Sequence, residues 1–268
     1  MRVQTLTLAA AGAALLAPTT VPGALHSNEP VRYEGSVRAA DLLARVRDCA
    51  PVSHGHYRSD AGTRADIPVC GTAEAVFWKA DMDIDCDGSP GPRCNSRTDP
   101  SFADSTAYQQ SDGRQLDPER LPFIVVPVAS NIWNHRDYGI RGGSVAAVVY
   151  KDRVQYAVVG DTGPRDIIGE ASYATADALG INPDPHGGGA PYGVTYIVFK
   201  NSRVSPIEDH AAAVETGERL AKQFVGQVDA FDDSSESDQS DRISDSGASD
   251  VSIDSNVADV SDGGMNGG

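Results

Sequence analysis

Tyr156-Ala157-Val158-Val159-Gly160-Asp161-Thr162-Gly163-Pro164 is an apolar run that ends abruptly on an acidic residue set between glycines. Four apolar positions followed by a Gly/Pro turn predict a buried strand, and Asp161 then stands at a strand end facing a cleft. Upstream, Ser144 to Tyr150 and Val154 to Val159 flank Lys151-Asp152, which predicts a hairpin. Downstream, after the turn at Pro164, Arg165 and Asp166, Ile167-Ile168-Gly169-Glu170 brings in a second carboxyl nine residues after the first. Two carboxyls can thus converge on one groove. That is the equipment of glycoside hydrolysis, in which one group protonates the leaving oxygen and the other activates water or attacks the sugar carbon.

Further strands are expected at Val76 to Asp85, Phe123 to Val128 and Val194 to Lys200. The first alternates Val76, Trp78, Ala80, Met82 and Ile84 with Phe77, Lys79, Asp81, Asp83 and Asp85, so one face carries a polar stripe. The second is interrupted by Pro127, which suggests an edge or bulge. Short helices are expected over Val37 to Cys49 and Ala171 to Leu179. A longer one starts at Ser205-Pro206 with Glu208 completing a capping box, and ends before Gly226. Many strands with few helices predict a mainly β, barrel-like fold.

The ends differ from this body. Arg2 precedes an apolar run from Leu6 to Ala17 and then small residues, the pattern of a secretory leader over residues 1–24, with cleavage expected between Ala17 and Leu25. That run is too short to span a bilayer. Residues 229–268 hold ten Asp and Glu236 against Arg242, a net charge of −10, and their scattered valines cannot offset the chain entropy of folding. A disordered acidic tail is expected there, leaving one domain over residues 25–228. The whole chain of 268 residues carries −16, which disfavours nucleic acid phosphates and anionic membranes as partners.

An exported chain favours disulfides, and local closure favours Cys49 with Cys70 and Cys86 with Cys94 among three possible pairings. No metal or cofactor is expected: the cysteine spacings lack a C-x-x-C and His54-Gly55-His56 is the only dense histidine cluster. Asp83-x-Asp85-x-Asp87-Gly88 imitates the opening of a calcium loop but has Cys94 where the bidentate Glu belongs. Asp161-Thr162-Gly163 has no second folded copy with which to share a proton as aspartic proteases require.

Taken together, Phe77-Trp78-Lys79-Ala80-Asp81-Met82-Asp83-Ile84-Asp85-Cys86-Asp87-Gly88 with Cys94-Asn95, then Val159-Gly160-Asp161-Thr162-Gly163-Pro164 and Ile168-Gly169-Glu170-Ala171-Ser172, resemble the glycoside hydrolase family 75 chitosanases from about Cys49 to Phe224. The resemblance implies a secreted, endo-acting, inverting hydrolase of the β-1,4 links of chitosan, with Asp161 and Glu170 as the catalytic pair. Glu170 is assigned as general acid and Asp161 as general base. Lys79, Asp81, Asp83, Asp85 and Thr162 are expected to bind substrate, and a monomer is expected. The strand, turn and Ile-Gly block are also similar to double-psi β-barrel proteins, which implies a six-stranded double-psi barrel with peripheral helices. The rival readings are a non-catalytic polysaccharide-binding module on the same barrel and an enzyme cutting peptidoglycan.

Overall fold

The computed structural model describes residues 34–236, with side chains through Gly226. The leader expected at residues 1–24 and residues 237–268 of the acidic tail lie outside the described residues, whereas residues 229–236, expected to be disordered, continue the last helix. Seven strands and three α-helices follow in the order α1 (Ala39–Arg45), β1 (Cys70–Gly71), β2 (Ala75–Asp85), β3 (Phe123–Pro127), β4 (Val145–Tyr150), β5 (Arg153–Gly163), β6 (Glu170–Ser172), α2 (Tyr173–Leu179), β7 (Ala190–Phe199) and α3 (His210–Glu236). A single 3-10 turn, His135–Tyr138, precedes β4. No helix among the described residues is long and apolar enough to cross a membrane.

The sheet closes on itself. Its order β2-β6-β3-β5-β4-β7 returns to β2 through a β2–β7 pairing, giving a six-stranded barrel with the two-residue β1 attached outside. The mainly β fold expected from the sequence is therefore present. Two of its pairings, β2–β6 and β3–β5, are parallel, and the others are antiparallel. This mixture is consistent with the crossed connections of a double-psi barrel. Closure leaves no long free edge, which removes the hazard of open sheets.

Alternate strand residues divide between two apolar clusters, as a period of two requires. Trp78, Ile124, Val148, Val159 and Tyr196 belong to one, in which Trp78 stacks on Tyr196 with ring centroids 5.3 Å apart. Phe77, Val125, Ala147, Tyr156, Val158 and Ile197 belong to the other, together with Leu42 of α1 and Ala213, Ala221 and Phe224 of α3. A helix of 27 residues cannot lie inside so small a barrel, so this second face is the outer one. The helices α1 and α3 cover it over β4 and part of β5.

Several local expectations are corrected. The helix expected from Ser205 begins at His210, capped by Asp209, whose Oδ1 accepts from Ala212 N at 3.0 Å. Glu208 forms no capping box, because its carboxylate is taken by the backbone N–H and hydroxyl of Ser111. Gly226 does not end this helix, which continues to Glu236. The helix expected from Ala171 starts at Tyr173 behind the Ser172 cap, since Glu170–Ser172 are drawn into β6. Pro127 closes β3 beyond its last contact with β6, where its missing N–H is not needed; the bulge lies earlier, between Ile124 and Val125. Both favoured disulfides, Cys49–Cys70 and Cys86–Cys94, are present.

Candidate active site

The β3–β5 bulge creates the site. Ile124 pairs with Val159, but Val125 pairs with Asp161, so Gly160 is the extra residue. Regular alternation would put Asp161 on the inner face with Val159; one inserted residue turns it to the outer face with Val125. Only glycine fits at this step, because a Cβ on Gly160 would approach Phe123 Cβ to 2.6 Å and Leu116 Cδ1 to 2.8 Å.

Glu170 reaches the same place from β6. Asp83 to Asp85 of β2 pair in parallel with Glu170 to Ser172, so Asp83, Asp85, Glu170 and Ser172 share the outer face. Glu170 lies over Gly163, where a Cβ would come within 2.5 Å of its Oε2. Asp85, Asp87, Asp99, Ser101, Val125, Asp161, Thr162, Gly163 and Glu170 line a cleft of about 230 Å³. A larger hollow of about 350 Å³, between Tyr108, Arg141 and Arg203, is lined by no carboxylate.

The two carboxyls have different surroundings. Asp161 is 7% exposed, and its Oδ1 accepts from Ala107 N at 2.7 Å and Thr162 N at 2.6 Å. Burial raises its pKa, while these two N–H donors oppose the rise by favouring the ionised form. Glu170 accepts no hydrogen bond among the described residues. Desolvation first, then Asp83, Asp87, Asp161 and Asp81, push its pKa up to about 7. Desolvation also holds Asp85 well above the ordinary carboxyl range, against the pull of the Asp87 N–H on its Oδ1 at 2.7 Å. The arrangement therefore pairs a carboxyl that keeps its proton up to about pH 7 with one whose own rise is opposed by two N–H donors, a difference that acid-base chemistry can use.

The expected site residues separate into three groups. Asp161, Glu170, Asp85 and Thr162 meet in the cleft. Asp81 and Asp83 stand beside it with Asp60, their carboxylate oxygens within 4.8 Å of one another. Lys79 is exposed and directs Nζ to the Arg47 carbonyl at 3.4 Å, outside the cleft lining. The apparent calcium loop is not formed: Asp83 belongs to the Asp60 group, Asp85 and Asp87 to a second triplet with Asp161, and Cys94 is in a disulfide. Either triplet offers oxygens to a hard cation.

Asp99, Asp60 and the Ala107 N–H went unread in the sequence, and Asp87 was read only as part of a calcium-like run and of the family block, not as a cleft residue. Asp87 carried a signal, since it continues the every-other-residue acid run; Asp60 and Ala107 come from distant loops and carried none.

The profile of the fungal chitosanases of glycosyl hydrolase group 75 matches residues 82–234. An endo-chitosanase of Aspergillus fumigatus is 28% identical over 201 residues, covering 69% of this chain and 82% of that protein. Endo-chitosanase C of Aspergillus oryzae is 27% identical over 203 residues, covering 74% of this chain and 48% of its own length. Endo-chitosanase B of Aspergillus oryzae is 32% identical over 133 residues, 44% of this chain and 55% of that protein. The chain thus spans about half the length of these two Aspergillus oryzae relatives and most of the Aspergillus fumigatus one.

Proposed function

The chain belongs to glycosyl hydrolase group 75, the fungal chitosanase family, and on that premise we propose that it is a secreted endo-chitosanase working by inversion, with Glu170 as acid and Asp161 as base. The observation that carries the assignment of roles is the contrast between the two carboxyls. Glu170, desolvated and without a donor, keeps its proton up to about pH 7, whereas Asp161 is held by two backbone N–H groups.

In the reaction, Glu170 passes its proton to the glycosidic oxygen as the bond from that oxygen to the anomeric carbon breaks. A water on the opposite face of the sugar gives a proton to Asp161 and its oxygen bonds to the anomeric carbon. The products are two shorter chains, and exchange with solvent resets both carboxyls. Asp161, Gly163 and Glu170 line one cleft, with Glu170 Oε2 lying over Gly163, and the inverting course requires the two carboxyls to stand roughly 6.5–9.5 Å apart with room for a water between them.

Chitosan is a polycation wherever its amines are protonated, and the cleft is acidic on every side. Asp81 and Asp83 are suited to accept from ammonium groups. Asp85, whose carboxyl burial pushes well above its ordinary range, and the Thr162 hydroxyl can each hydrogen-bond a sugar hydroxyl. Lys79 lies at the margin of the same face. The two disulfides fit export to an oxidising compartment, and the acidic tail is assigned no part in turnover.

The reading is tested by Asp161→Asn and Glu170→Gln on glucosamine oligomers. Each should lower turnover at least a hundredfold, the lower bound typical of acid-base groups, while retaining oligomer affinity. Substantial activity in either variant removes that residue from the mechanism.

A further inference from the structure

One of the two N–H groups that hold Asp161 comes with its own strand: Thr162 follows it in β5 and donates to its Oδ1 at 2.6 Å. The other has to be brought in. Ala107, 54 positions earlier, donates to the same oxygen at 2.7 Å. It belongs to residues 103–116, which contain no helix and none of the barrel strands. Irregular backbone of this kind keeps an N–H on target only where nearby side chains take up its other hydrogen-bonding groups.

Thr106 does this on both sides of Ala107. It is 8% exposed. Its Oγ1 donates to the Tyr108 carbonyl at 2.6 Å, with Gln115 Oε1 at 3.1 Å as a second acceptor, and accepts from the Leu116 N–H at 3.3 Å. Its own N–H donates to Gln115 Oε1 at 2.8 Å. One hydroxyl thus closes the chain across Ala107, whose N–H is left to reach Asp161.

The surrounding contacts give this turn a fixed base. The Gln115 carbonyl accepts from the Ser89 hydroxyl at 2.9 Å and from Gln110 Nε2 at 2.6 Å. Ala103 N donates to Asp87 Oδ1 at 2.7 Å, Gly88 N to the Ala103 carbonyl at 3.0 Å, and Ser89 N to the Leu116 carbonyl at 2.7 Å. The segment after β2, closed by Cys86–Cys94, therefore grips both ends of the loop. On the other side the Tyr108 ring packs on Gly142, in the turn before β4.

The charged groups facing Asp161 are all acidic: Asp85 of β2, Asp87 and Asp99 beyond it, and Glu170 of β6. No lysine or arginine lines the cleft, so the ionised form of Asp161 depends on its two N–H donors. We infer that Thr106 is a positioning residue for the proposed reaction: its hydroxyl, with the Gln115 amide oxygen, aims the Ala107 N–H at Asp161 and keeps the base ready to take the water's proton. The inference rests on the chitosanase reading, with Asp161 as base, and deepens it.

The test compares Thr106→Val, which keeps the shape and removes the hydroxyl, with Thr106→Ser, which keeps the hydroxyl, on glucosamine hexamer. Thr106→Val should lower kcat about tenfold with KM within about threefold, the pattern of a loss felt in the transition state. The acidic limb of its pH profile should move up by about one unit, because a carboxylate that loses a donor takes its proton at higher pH. The alkaline limb, set by Glu170, should stay in place. A merely loosened fold would not move one limb alone. Thr106→Ser should recover both kcat and the acidic limb. Should Thr106→Val fail to fold, Gln115→Leu, which removes the acceptor of the Thr106 N–H, carries the same comparison. An unmoved acidic limb in the folded variant, or no recovery by Thr106→Ser, overturns the inference and leaves the chitosanase reading standing. Activity surviving in Asp161→Asn, or no cleavage by the wild type, overturns both.

Discussion

Replacing Glu170 by glutamine should stabilise the protein while destroying its activity. The ordinary glutamate value is 4.5 and that of Glu170 is about 7, raised by desolvation and then by four neighbouring aspartates. Below pH 4.5 the carboxyl is protonated in both folded and unfolded chains and no penalty arises. Between pH 4.5 and 7 the folded chain binds more protons than the unfolded one, so stability falls as pH rises through this window. At pH 7 the accumulated penalty is about 3 kcal/mol, from about 1.36 kcal/mol per unit over the interval. Glutamine keeps the shape and is always neutral, so it avoids this cost. For a folded region of this size the gain corresponds to a Tm higher by about 6–12 °C at pH 7. Thermal unfolding of both proteins from pH 4 to pH 8 is the assay. A gap that opens between pH 4.5 and 7 is expected. A gap that is absent at pH 7, or constant across the series, would refute the idea that this carboxyl is held uncharged by its surroundings.

Three further outcomes follow from the same geometry. Gly163→Ala places a methyl 2.5 Å from Glu170 Oε2 and 2.9 Å from Val125 Cγ1; displacing the acid should lower kcat by about a hundredfold, with hexamer affinity changed less than threefold by calorimetry. The rate on a soluble oligomer should decline above about pH 7 as Glu170 loses its proton, and a rate still rising at pH 8 would assign the acid elsewhere. Breaking Cys86–Cys94 by Cys86→Ala with Cys94→Ala opens an eight-residue separation and should cost about 2.5 kcal/mol by loop-closure entropy, measured by urea unfolding.

The sequence made the barrel legible where strands are long and apolar. The hairpin of β4 and β5 follows from two runs around Lys151-Asp152, and the period-two stripe of β2 places Asp81, Asp83 and Asp85 on one face as expected. The division of that stripe between two carboxylate groups was not legible, because Asp60 joins one from the loop before β1 and Asp161 joins the other from β5. Three-residue β6 is too short to have a period, and its pairings with Asp83 to Asp85 on one side and Ile124 on the other turn Glu170 toward the cleft. Gly160 is recognisable as a turn-former, but its role as an inserted residue depends on register against β3. At α3 the local signal was overridden: a tertiary partner, Ser111, claims Glu208, and the exposed Gly226 costs about 1 kcal/mol, too little to end a helix.

Proton NMR of glucosamine hexamer cleavage by the purified protein, read at the anomeric signals during the first minutes, tests the central claim most directly. The account predicts that α-anomer appears first from the wild type and that neither Asp161→Asn nor Glu170→Gln releases product. Early β-anomer would contradict the inverting pair, and no cleavage by the wild type would contradict the chitosanase assignment itself.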